Sequence, residues 1–129
     1  MKFTHLLPTL LAFGAISLSS GVIAADDHEN HEIIEKVMKE GLKGDDSPLA
    51  LVLDGQATAE DTANLDKLIK TMKGTHAPKG DQADYDTKVA ELIAAMEAVA
   101  KGDTSDAARK RLDEAANCKA CHSEHKPKK

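Results

Sequence analysis

DYDTKVAELIAAMEAVAKG (residues 84–102) decides the fold class. Tyr85, Val89, Leu92, Ile93, Met96 and Val99 recur at intervals of three and four, which puts them on one face of an α-helix. The helix starts between Asp81 and Asp84, and Lys101-Gly102 ends it. Asp103-Thr104 caps the next helix, whose inward positions are Ala108, Leu112 and Ala115. Lys119 and His122 continue the same spacing, so that helix is expected to run through His122.

Upstream, Thr58 reads as an N-cap with Asp61 three residues on. Leu65, Leu68, Ile69 and Met72 form the stripe that follows, and Lys73-Gly74 closes it. A loop through His76, Pro78 and Gly80 joins it to the residue 84–102 helix. The first helix spans about Asp27 to Glu40, with acids in its first turns and Ile33, Ile34, Val37 and Met38 on its apolar face. Gly41 is its expected stop. Ser47-Pro48-Leu49 opens a short apolar segment to Leu53, read as one or two helical turns. No stretch reads as a strand pair. The expectation is therefore an all-α, up-down-up-down four-helix bundle with a short extra helical segment between the first two helices. In that topology the C-terminal end of the fourth helix lies beside the start of the first, the end of the second and the start of the third.

The N-terminus reads differently. Lys2 precedes an apolar run from Leu6 to Leu18, and Val22-Ile23-Ala24 provides small residues for signal peptidase. Residues 1–24 are expected to be a signal peptide and residues 25–129 the mature domain, in the periplasm, with no stable membrane anchor after cleavage. Phe3 and Phe13 go with the signal, leaving Tyr85 as the only Phe, Tyr or Trp beyond it. Aromatic side chains normally carry much of a small core, so this core is thin, and a bound cofactor would supply apolar bulk. Lys+Arg 17 against Asp+Glu 22 gives a formal net charge of −5, which argues against a nucleic-acid partner. The sign is uneven: acids dominate up to Ala108, and bases dominate from Arg109 onward.

The two cysteines stand in Cys118-Lys119-Ala120-Cys121-His122. C-x-x-C-H is the attachment signal for c-type haem. Residues three apart share a helix face, so both thiols reach one porphyrin, and the adjacent imidazole of His122 ligates the iron. Three alternatives use the same residues. A disulfide across one helical turn is strained. A thioredoxin-type pair wants thiols at a helix N-terminus after a strand, whereas these are expected to end a helix. A zinc site would draw on Cys118, Cys121, His122 and His125.

An exported bundle with C-x-x-C-H at the end of its last helix resembles the cytochrome c′ / cytochrome c-556 family. In that family the residue facing the distal side of the haem lies on the first helix, often in a pattern ending Met-Lys, and Met38-Lys39 matches it. Ile34 stands where the family often has Arg. His125 stands where it often has an aromatic residue, and Lys126 keeps the basic residue that follows. The resemblance implies one covalent haem c per chain, electron exchange with redox partner proteins or binding of gases such as nitric oxide, and a homodimer.

The second axial position separates the functions. A strong ligand makes an electron carrier, whereas an open position binds gas. Met38 is the candidate distal ligand. Met72 and Met96 read as core, His31 as solvated near its helix start, and His28, His76 and His125 as surface or loop residues. The leading reading is a periplasmic monohaem electron carrier. The alternatives are a five-coordinate gas binder and a non-haem Cys/His metal-binding helical module. An enzyme is not expected, because no nucleophile with its base and no carboxylate pair stands out.

Overall fold

The computed structural model describes residues 27–128. The expected signal peptide and its cleavage point lie outside the described residues. Helix α1 (Asp27–Val37) runs directly into a π-helical turn (Met38–Leu42). Then come α2 (Pro48–Leu53), α3 (Ala59–Lys70), α4 (Gln82–Ala100), α5 (Asp106–Ala115) and α6 (Cys118–His125). The fold is all-helical, with no strand among the described residues.

The helix starts follow side-chain chemistry. Ser47 accepts from the Ala50 amide at 3.2 Å, with Pro48 next in line. Thr58 and Asp61 form the expected capping box, each side chain satisfying the other's amide. Asp81 accepts from the Asp84 amide at 2.8 Å. Ser105, rather than Asp103-Thr104, caps α5, and Asp103 accepts from the Ser105 hydroxyl at 2.6 Å.

The expected stripes form the core. Tyr85, Val89, Leu92, Met96 and Val99 of α4 are buried, joined by Leu65 and Ile69 of α3, Met72, and Ala108 and Leu112 of α5. Helix α4 packs against α3 and α5. The short α2 buries Leu49 and Val52 and touches both α3 and α5, so the extra segment is helical as expected. Of the apolar face expected for the first helix only Val37 is fully buried, while Ile33, Ile34 and Met38 are half-buried; the polar Asn30 is buried too.

Two further sequence expectations change. Gly41 does not stop the first helix; the π-helical turn carries the chain to Leu42, and extended Lys43 ends it. The widened turn presses Gly41 onto α3, where an added Cβ would lie 3.0 Å from Leu68 Cδ2 and 3.1 Å from Leu65 Cδ1. The last helix is also not continuous. Asn117 adopts an extended backbone and its side chain accepts from the Ala120 amide at 3.0 Å, so it ends α5 and caps α6. Asn is among the strongest N-cap residues, and here its capping overrides the helical spacing that runs on to His122.

One end of the molecule gathers four chain segments. Asn30 of α1 accepts from the His76 amide at 3.1 Å, and Thr75 meets Tyr85 at 2.8 Å. His125 at the end of α6 reaches Lys79 and Asp84. The start of α1, the loop after α3, the start of α4 and the end of α6 therefore meet at that end.

Candidate functional site

Cys118 is the first residue of α6 and Cys121 lies one turn on. Both are free thiols; Cys118 is exposed and Cys121 half-buried. The Cys118 thiol donates to the Ala116 carbonyl at 3.5 Å. His122 is exposed beside them. Spacings of three and four residues put all three side chains on one side of the helix. Two free thiols and an accessible imidazole on one helix face are the donor set that a covalent haem requires.

The break at Asn117 changes where the thiols stand on their helix. The cysteines begin a helix instead of ending one, so position no longer counts against a redox pair. The preceding element is still α5, not a strand. Burial pushes the Cys121 thiol above its ordinary value; the Lys88 ammonium pulls it back, while Asp84 and Cys118 add to the rise. A dithiol redox centre wants the reverse, a readily ionised thiol.

His125 overturns the expectation of a surface or loop residue: it is 3% exposed. Its Nδ1 lies 2.8 Å from the Lys79 carbonyl oxygen and its Nε2 2.9 Å from Asp84 Oδ2. Its ring meets Tyr85 edge-on, with centroids 5.3 Å apart. Lys88 donates to the same Asp84 oxygen at 2.6 Å. The Asp84 carboxyl is held below the usual carboxylate range, first by Lys88 and then by His125. The Lys88 ammonium is raised chiefly by its bond to Asp84. Burial raises the Tyr85 phenol, and its bond to Thr75 offsets part of that. The sequence did carry a signal for His125. It lies four residues after Cys121, and thus on the face that the thiols share.

With both ring nitrogens engaged, His125 is not free to complete a zinc set with Cys118, Cys121 and His122. Among the described residues no group of three or more His, Cys, Asp or Glu is arranged to hold a metal ion.

No family model, curated protein or solved structure matches the chain.

The other axial candidates are scattered. Met38 is half-buried against the core in the π-helical turn. Met72 and Met96 are buried within the core. His31 is exposed on α1 near Glu35, and His28 near Glu32. His76 is exposed in the loop before α4. Two cavities open elsewhere: one of about 280 Å³ beside Gly55, Val99 and Arg109, and one of about 520 Å³ between Lys36, Pro48 and Leu68. Neither is lined by a residue of α6.

Proposed function

We propose that the protein is an exported monohaem c-type cytochrome that carries single electrons in the periplasm. One observation carries this reading: Cys118 and Cys121 are free thiols one turn apart on α6, with exposed His122 immediately next to them. Cys118 and Cys121 would hold a haem c through thioether bonds, and His122 would ligate its iron. When bound, that group supplies one-electron chemistry. Met38, the half-buried thioether of the first helix, is the candidate for the second axial position. The finer reading of the fold is an up-down-up-down four-helix bundle: α1, α3 and α4 supply three members, α5 with α6 the fourth, and α2 the extra segment.

The chain's own residues do three things in this reading. Tyr85, at the start of the buried α4 stripe, meets the His125 ring and supports the end of α6. Exposed Lys119 within the motif, and exposed Lys126 and Lys128 just after α6, carry positive charge suited to haem propionates and to an acidic redox partner protein. The exposed face at Cys118 and His122 leaves the site open to electron exchange with that partner.

The test is expression of the full precursor in a host with haem-attachment machinery. Denatured mature protein should keep haem mass and colour, and Cys118→Ala with Cys121→Ala should remove both. Colourless protein with two free thiols overturns the reading. The ferric spectrum then separates two functions: low-spin iron fits an electron carrier, whereas high-spin iron with an open position moves the assignment to gas binding.

A further inference from the structure

The structure assigns His125 a positioning role: it sets the rotation and tilt of α6, and so the direction in which Cys118, Cys121 and His122 project. The assignment rests on the haem reading above for the purpose of that direction. Helix α6 cannot inherit its orientation from α5, because Asn117 interrupts the helix between them. Its packing is against α4, and His125 is its one buried residue among the described residues.

The His125 ring is held from two elements at once. The Lys79 carbonyl belongs to the loop before α4 and the Asp84 carboxylate to the first turn of α4. Both are acceptors, so a ring that satisfies both donates from each nitrogen. The edge contact with Tyr85 fixes the ring plane as well. At about 100° per residue, Cys118, Cys121 and His122 all project within about 60° of the direction of His125. A ring pinned at one angle therefore pins the other three. Asp84 and Tyr85 both meet the His125 ring, so the C-terminal end of α6 is docked on the first turns of α4.

Gly80 is the counterpart in the loop. Its φ of +80° favours glycine, and an added Cβ would stand 2.8 Å from the Glu124 carbonyl oxygen and 3.2 Å from His125 Nδ1. Only a residue without a side chain lets the loop close on the end of α6 from this side.

The experiment has two arms, both on the full mature chain. In the haem-free chain carrying Cys118→Ser and Cys121→Ser, amide exchange is followed in α6 and α4. His125→Ala and Gly80→Ala should each speed exchange in α6 by about tenfold while the amides of residues 89–100 keep their protection. His125→Gln, which retains a donor, should recover part of the loss. Exchange in α6 equally fast with and without His125 overturns the assignment. In the haem-loaded chain, the ferric electron paramagnetic resonance spectrum should show one species for wild type, a mixture for His125→Ala and one species again for His125→Gln. A single unaltered species in His125→Ala also overturns it, since haem ligation then does not depend on the clamp. A wild type that takes up no haem sinks the proposed function instead, and the exchange arm still decides whether His125 orients α6.

Discussion

His125 Nε2 and Asp84 Oδ2 meet at 2.9 Å across 41 residues of sequence, joining the last helix to the first turn of α4. The same carboxylate oxygen takes the Lys88 ammonium at 2.6 Å. A single acidic side chain thus ties α6 to a cation on α4, and its ionisation is coupled to the docking of the helix that carries both cysteines.

The first expectation concerns acid. The folded pKa of Asp84 is lowered, chiefly by Lys88 and then by His125. A lowered folded value means that the charged form is favoured by folding. Its contribution is complete above the ordinary carboxylate range, near pH 4, and is lost as pH falls through the lower folded value. Asp84→Asn should therefore be less stable than wild type at pH 7, with the gap closing as pH falls below about 4. Urea unfolding followed by circular dichroism from pH 2 to pH 7 measures this; a gap independent of pH would refute it.

The second concerns the Tyr85 hydroxyl. Thr75 Oγ1 donates its only proton to the Met72 carbonyl at 2.6 Å, so Tyr85 must be the donor in the 2.8 Å bond between the two hydroxyls. Tyr85→Phe removes one donor and leaves Thr75 bonded, at a cost of about 1 kcal/mol. Thr75→Val strands the buried phenol, while the Met72 carbonyl keeps its 3.1 Å bond from the residue 75 amide, and should cost more, about 1–3 kcal/mol. Denaturant midpoints of the two variants give the order, and the reverse order would be incompatible with this bonding.

Gly41 provides a packing test. An added methyl would press on Leu68 and Leu65, at 3.0 and 3.1 Å, where the π-helical turn closes on α3. Gly41→Ala should destabilise by about 1 kcal/mol, despite the better helix propensity of Ala, because overpacking a core contact outweighs that gain. A stabilised variant would mean that the turn has room to relax.

Met38 is the residue to vary in order to separate the two functions of the proposed haem protein. If its thioether ligates the iron, wild type is low-spin and Met38→Ala should become high-spin and bind carbon monoxide or nitric oxide faster. If it only shields an open position, wild type is already high-spin and the substitution should chiefly speed gas entry. Spectra and binding rates unchanged by Met38→Ala would remove Met38 from both roles and leave Met72 or His31 to be tried. Of these, Met72 is buried in the core and His31 is exposed near Glu35.

Much of the architecture was readable because helices are local. The 3.6-residue period of Tyr85 to Val99 is an arithmetic property of the chain, and the buried face of α4 follows it. The Thr58/Asp61 capping box is equally local and forms as written. The Cys118-x-x-Cys121-His122 spacing needed only a helix to bring its donors together. Tertiary structure decided what depends on partners distant in sequence or on competition between local preferences. At Asn117 a side-chain cap won against a continuing helical pattern, which placed the cysteines at a helix start. At Gly41 contact with α3 turned an expected stop into a tight packing point. His125 looked like a solvated histidine because nothing in its neighbourhood along the chain accepts a hydrogen bond from its ring. Its acceptors, the Lys79 carbonyl and the Asp84 carboxylate, arrive only when α4 folds against α6. Burial of a polar ring requires both of its nitrogens to be satisfied, and that condition is met in space, not in sequence.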